Sequence, residues 1–371
     1  MADSVSRVLL LTRELSFRGS SILALRLAQG LQARSVETVV VCTQRQSLDA
    51  ELTNNVRIIP VRGYSMPIWG RVVRRTVLKN LVDQPPDIIH VQGPSMLSQG
   101  LWLGRTLNRP VILNINDQSE AARVSVGLPG TACRAITCVS ASVRAALPGQ
   151  LEPIEQRVIL PGVPLDLNRK IPPILAPDRT PVIGMAGPLE VMKGGSFFLR
   201  ACHRVLESGI PIRIVVTGSG PEERNLRRLA ASLELNSVTT FVDDGTAMST
   251  YLSAIDIFCM PSLQQGFGII MLEAMALGRP AIASGVGGIL SIIEDQRNGL
   301  IVPPSDSRSL AEAMLKLIRD PELARRVAIA GQNLVEDRFT LERMADEMMA
   351  LYNDVSANTL PTTISVPVPR G

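Results

Sequence analysis

Short runs rich in aliphatic and β-branched residues recur along this chain, and helical spacings separate them. In the first half they fall at 8–12, 38–43, 57–61, 88–91, 111–115, 136–139 and 158–160. Helical patterns lie between several of them, at 20–33, 72–82 and 96–107. A strand that is apolar on both faces must be covered on both. Helices that join successive strands achieve this when the sheet is parallel. The second half repeats the alternation at 182–186, 212–217, 239–242, 255–260, 281–284 and 300–302. Helices follow at 309–319, where Leu310, Ala313, Met314 and Leu317 form one apolar stripe, and at 341–355. A chain of 371 residues exceeds what one core usually serves, so two domains are expected. Pro172, Pro173 and Pro177 mark the junction. The expected division is a first domain over 1–165, a linker over 166–181 and a second domain over 182–337. A helix over 338–355 follows, then an aperiodic, proline-containing tail over 356–371, expected to be disordered.

The stretch 261–280 carries the densest chemistry. It reads as the end of a strand, a turn punctuated by Gly266 and Gly268, and a short helix closed by Gly278 and Pro280. The first N–H groups of such a helix have no partners, and its dipole places partial positive charge there. A phosphate is held well at that end. Glu273 falls in the second turn, within reach of hydroxyls on the same ligand. Any strand–turn–helix unit also carries glycines, so the glycines alone do not decide the matter.

Gln265-Gly-Phe-Gly-x4-Glu273, followed by Ala-Met-Ala-x-Gly-x-Pro, resembles the donor-binding signature of the GT-B retaining glycosyltransferases of family four. The likeness extends through Ser284-Gly-Val-Gly-Gly288, Asn298-Gly-Leu-Ile-Val-Pro-Pro304 and Asp306, and it is strongest over 181–352. It implies an α/β fold of two Rossmann-like domains whose parallel sheets face each other across a cleft. It also implies that the last helix crosses back to the first domain. The implied activity is transfer of a sugar from a nucleoside diphosphate sugar to an acceptor hydroxyl with retained configuration, in polysaccharide or glycolipid assembly. In such an enzyme the departing diphosphate takes the acceptor's proton, and neither metal nor cofactor is expected.

The resemblance also places roles on residues. Lys193 is similar to the family lysine that contacts the diphosphate, and Gly19 to the glycine that lets the first domain approach it. Gly266, Phe267, Gly268, Ile269 and Ile270 form the helix entrance that would hold the leaving group. Glu273 would hold the ribose and Gln265 the sugar hydroxyls. Gly218 and Val242 fall on the strand ends that support the nucleotide. Three positions depart from the pattern: Gln265 stands where the family has Glu, Pro188 where it has Arg, and Asn116 where it has His. Asparagine hydrogen-bonds a sugar but transfers no proton at neutral pH. Asp117 beside it reads as a strand-end cap rather than a catalytic acid. Because each departure removes a charge or proton donor, a catalytically weak or inactive nucleotide-sugar-binding relative, acting as a partner subunit, stands as the alternative. A nucleotide-sugar epimerase fits less well, for want of acid–base residues.

The remaining composition narrows partners. A net charge of +4 without concentrated basic runs argues against a nucleic-acid binder. Five scattered cysteines and two isolated histidines form no metal pattern and suit a reducing, cytoplasmic setting. No signal peptide or membrane-length apolar run is seen. Arg71, Arg74, Arg75 and Lys79 share a helical face after Trp69. That face suits peripheral contact with an anionic membrane at its inner side and a sugar or lipid-linked acceptor. A surface helix with its apolar side against the sheet and its charges solvated accounts for the same residues and is the preferred reading.

Overall fold

The computed structural model describes residues 5–16, 19–45, 50–62, 77, 78, 81, 83–124, 133–151, 154–165, 173–242 and 247–357. The first sheet consists of β1 (Arg7–Leu15), β2 (Glu37–Arg45), β3 (Arg57–Pro60), β4 (Ile88–Gln92), β5 (Val111–Ile115), β6 (Cys133–Cys138) and β7 (Glu155–Val158). All its pairings are parallel, in the order β3-β2-β1-β4-β5-β6-β7. The second consists of β8 (Val182–Ala186), β9 (Arg213–Thr217), β10 (Thr239–Val242), β11 (Ile257–Met260), β12 (Ala281–Ser284) and β13 (Leu300–Val302). It too is parallel, in the order β10-β9-β8-β11-β12-β13. Every residue of β4, β5, β11 and β12 is buried, including the polar His90, Gln92, Asn114 and Ser284 among their mostly apolar residues.

Strand order reverses at one place in each sheet, between β1 and β4 and between β8 and β11. The chain leaves these neighbouring strands in opposite directions, which opens a crevice beyond their carboxyl ends. The loops after β1, β8 and β11 are therefore the ones the fold aims at a ligand. Helix α1 (Gly19–Gln32) follows β1, and α2 (Ala50–Thr53) and α3 (Leu97–Leu107) pack further along the first domain. Helices α4 (Gln118–Arg123) and α5 (Ala141–Ala145) follow β5 and β6. In the second domain come α6 (Gly195–Glu207), α7 (Glu223–Ser232), α8 (Met248–Ala254) and α9 (Ile269–Ala276). Helix α9 is buried from Ile269 through Met275, so it has no solvent face.

The structure differs from the sequence reading at a few edges. β7 lies earlier than 158–160, since Leu160 and Pro161 already belong to the return segment and Pro161 has no N–H to pair. Between α10 (Ser307–Arg319) and α12 (Leu341–Ala357) stands a helix the periodicity did not single out, α11 (Pro321–Arg338). Asp320 caps it through Leu323 N–H at 2.9 Å, and Pro321 supplies the first turn. Ser356 and Ala357 continue α12 rather than begin a tail; 358–371 lie outside the described residues, as do Trp69 and the basic positions 71, 74, 75 and 79.

Helix α12 packs on the first domain. Gly30 of α1 leaves room for it, since a Cβ there would sit 2.9 Å from Ala345. Arg34 Nε bonds Asp346 at 2.6 Å, and Val163 pairs with Thr340 where the chain returns. Within this packing the Tyr352 hydroxyl and His90 Nδ1 of β4 lie 2.7 Å apart, both fully buried. Burial holds the imidazole neutral and pushes it down to about 3. All five cysteines are buried and free.

The unfolded chain protonates His90 near pH 6.5 while the folded chain resists until about pH 3, so stability falls as pH drops through that window. Urea unfolding at pH 7 and pH 5 should show His90 alone contributing a loss of about 2 kcal/mol. In His90→Gln that part of the pH dependence should vanish. An unchanged pH slope would mean that His90 titrates normally in the fold.

Candidate functional site

A cavity of about 490 Å³ lies at the paired crevices, large enough for a nucleotide-sized ligand. The first domain lines it with Gly19, Ser20 and the segment after β5; the second lines it with the loops after β8, β11 and β12. Lys193, Gln265, Asn116, Gly19, Gly266, Phe267, Gly268, Ile269 and Ile270 all stand on its wall. Glu273, Gly218 and Val242 do not.

The wall of the second domain depends on backbone meeting backbone. Gly288 N–H donates to the Gly266 carbonyl at 3.0 Å, and a Cβ on Gly287 would fall 1.9 Å from the Gln265 carbonyl oxygen. Gly287 also has φ of +54°, so any side chain there would be strained as well as obstructed. Gly218 does the same on the other flank, its Cβ position 1.9 Å from the Gly187 carbonyl oxygen at φ of +129°. Gly218 therefore shapes the cavity from behind its wall. Val242 ends β10, its carbonyl receiving the Thr217 hydroxyl at 3.3 Å; positions 243–245 lie outside the described residues.

Gly268 stands in the left-handed region and begins α9 with no side-chain cap. Ile269 and Ile270 of that first turn line the cavity, and a helix entrance carries unpaired amides and partial positive charge. Lys193, at the end of a short 3-10 turn, donates from Nζ to Gln265 Oε1 at 2.8 Å, and the Ser262 hydroxyl reaches the same oxygen at 3.2 Å. An ammonium group and a helix entrance thus converge on one region. That arrangement suits an anion. Phe267 turns its ring to the other side, edge-on to Phe339 with centroids 5.7 Å apart.

Glu273 takes a different course. Oε1 receives Arg26 Nη2 at 2.8 Å and Nε at 3.2 Å, joining α9 to α1 in a pair that is almost wholly buried. Both charges are desolvated, so each depends on the other. Arg26 escaped sequence reading because a lone arginine on an otherwise apolar helix carries no motif.

On the first domain, Gly266 packs closely enough that its Cβ would meet the Asn116 carbonyl at 2.9 Å. Asp117 caps α4 by accepting Glu120 N–H at 2.8 Å, in keeping with its expected role. Asn116 is held in a polar chain: Oδ1 accepts Asn114 Nδ2 at 3.0 Å, while its N–H and Nδ2 donate to Glu120 Oε2 at 2.8 and 3.2 Å. Glu120 lines the cavity and was not among the expected residues. Burial raises its carboxyl, and the Asn116 bonds pull it back. The only trace of it in sequence is the Asp-x-x-Glu spacing of a capping box, which points to a helix start rather than a site.

Residues 17–167 match the family described as Glycosyltransferase Family 4, and residues 168–334 the family described as Glycosyl transferases group 1. A D-inositol 3-phosphate glycosyltransferase of Saccharomonospora viridis is 31% identical over 231 residues, covering 57% of this chain and 53% of that protein. The chain thus spans about half of that relative's length. A phosphatidyl-myo-inositol mannosyltransferase of Mycobacterium leprae is 27% identical over 352 residues, 90% of this chain and 92% of that one. Among solved structures, HepE of Anabaena in complex with UDP and glucose superposes with a TM-score of 0.78 at 18% identity, over 94% of this chain and 99% of that one. The shared fold is GT-B, two Rossmann-like domains with a cleft between them.

Truncating one half of the buried ion pair strands the other. Arg26→Ala should destabilise the protein by about 3–5 kcal/mol in urea unfolding, and Arg26→Met with Glu273→Leu should recover most of the loss. A loss below about 1 kcal/mol in Arg26→Ala would mean the carboxylate finds water.

Proposed function

Because the chain belongs to the group 1, family 4-type glycosyltransferases, we propose that it moves a sugar from a nucleoside diphosphate sugar to an acceptor hydroxyl with retained configuration. The observation that carries this reading is the convergence of the uncapped α9 entrance, Lys193 and Gln265 on one cleft. Structures of HepE with UDP and with UDP-glucose support a ligand of this kind. The diphosphate would lie along Gly268, Ile269 and Ile270, with Gly19 offering an unobstructed approach from the first domain. Lys193 would meet the phosphate oxygens, exchanging the neutral Gln265 acceptor for an anionic one.

The reaction needs little covalent chemistry from the protein. The glycosidic C–O bond to the phosphate breaks, the acceptor oxygen bonds the anomeric carbon from the same face, and the acceptor proton passes to the departing phosphate oxygen. The protein stabilises the charge that builds on that oxygen and holds the sugar. Gln265 would bond sugar hydroxyls once Lys193 turns to phosphate. The ribose role of Glu273 requires its second carboxylate oxygen, since Oε1 is taken by Arg26. Gly218 and Val242 would act from behind the wall, holding in place the loops that meet the nucleotide. No metal or cofactor enters this scheme. The acceptor we propose is a sugar or lipid-linked alcohol; no described helix is long and apolar enough to cross a membrane.

A second reading, a slow or silent nucleotide-sugar binder, is favoured by one observation: Lys193 is the one cation among the described residues lining the cavity, with Pro188 in place of a second.

Calorimetric titration with UDP, GDP and ADP should give saturable binding to at least one, weakened about ten- to hundredfold in Lys193→Ala. Absence of binding by all three would overturn the proposal. Gln265→Glu should raise the rate of nucleoside diphosphate release from the cognate nucleotide sugar, by restoring negative charge near the reacting carbon. Release that stays at background in both proteins, with binding intact, would select the silent reading.

A further inference from the structure

The cleft wall holds three carboxylates, Asp117, Glu120 and Glu190, against the single lysine already named. Asp117 is occupied as a cap, its Oδ1 taking Glu120 N–H and the Ser119 hydroxyl at 2.7 Å. Glu120 is held differently. Its Oε2 receives both bonds from Asn116, while Oε1 takes no hydrogen bond from any described residue and lies against the backbone of Gly93, where a Cβ would come within 3.3 Å. An ionised carboxylate is acceptor-only, with two oxygens to satisfy. Oε1 is left for something else.

The support beneath it is extensive. Asn116 is braced by Asn114, whose Oδ1 receives the Thr137 hydroxyl at 2.9 Å and whose Nδ2 also reaches Gln92 Oε1 at 3.3 Å. Gln92, Asn114 and Thr137 are buried at the ends of β4, β5 and β6. Gln92 Nε2 is buried and has no hydrogen-bond partner among the described residues. A network built for stability alone would not strand a buried amide. This one trades that donor for a carboxylate fixed in direction.

Resting on the transferase reading above, we propose that Glu120 is a specificity-determining residue of the cleft. Positioned by Asn116, it accepts a hydrogen bond from a hydroxyl of the transferred sugar and selects uncharged sugars over those carrying a carboxylate. A hydroxyl hydrogen satisfies Oε1 directly. A uronic acid would bring a second negative charge into a partly desolvated space whose one described cation faces the diphosphate, and like charges there repel strongly. Asn116 in this scheme is a positioning residue: Oδ1, N–H and a hydrogen of Nδ2 are all engaged in holding its neighbours.

The experiment compares wild type, Glu120→Gln and Asn116→Ala by calorimetry with UDP and GDP and their hexose and hexuronate derivatives. Nucleoside diphosphate affinity should stay within about twofold in both variants, which also certifies that they fold. The preference for hexose over hexuronate derivatives should fall about tenfold in Glu120→Gln, a loss of about 1.4 kcal/mol in discrimination. It should fall in the same direction but by less in Asn116→Ala, which removes the Nδ2 bond to Glu120 Oε2 and keeps the backbone N–H bond. Diphosphate binding with an unchanged sugar preference would overturn the role of Glu120 and leave the transferase reading standing. Failure of wild type to bind any of the nucleotides would overturn both.

Discussion

The second domain's half of the cleft exists because main chain touches main chain. Gly287 and Gly288 lie so close to the carbonyls of Gln265 and Gly266 that no side chain fits between. The loop after β12 therefore braces the loop after β11, and that brace fixes the direction in which α9 begins. Since α9 is buried along almost its whole length, its start cannot be adjusted by the rest of the helix. Its amides can point into the cleft only if the glycines permit the approach. Lys193 and Gln265 are then aligned by the same loops. The chemistry proposed for this protein follows from that crowding.

The two domains share one continuous buried apolar cluster, and a small set of directional contacts fixes how they meet. The Arg26–Glu273 pair joins α1 to α9 away from solvent, and Gly266 abuts the Asn116 backbone. Helix α12, continuous from the second domain's last helices, settles on the first domain through Gly30, Arg34 and the His90–Tyr352 bond. A buried ion pair contributes less to stability than its Coulomb attraction suggests, because desolvation offsets much of it. Its value at this junction is directional: it admits one relative placement of two helices, both of which end at the cleft.

The fold was legible because parallel strands announce themselves. β5, β8, β10, β12 and β13 fall on runs rich in aliphatic and β-branched residues, and their bounds coincide with those runs. Helix α11 was less visible, since Gly331 interrupts its apolar stripe where Met275 and the Asn298 carbonyl crowd in. Single residues were harder. Lys193, Gln265 and the glycines stand in a recognisable motif and do line the cavity. Arg26 and Glu120 lie outside any motif, and their importance comes from partners that only folding brings near. Glu273 shows the converse: its spacing suggested a ligand contact, while its Oε1 is engaged with an arginine 247 positions away.

Phe267 sits between the two glycines of the ligand-facing loop, yet its ring rests on Phe339, just before the segment where the chain passes from one lobe to the other. Pivoting the lobes about that passage would slide one ring across the other. The loop and the passage are thus tied by one ring contact, so a change in the angle between the lobes would be felt at the loop.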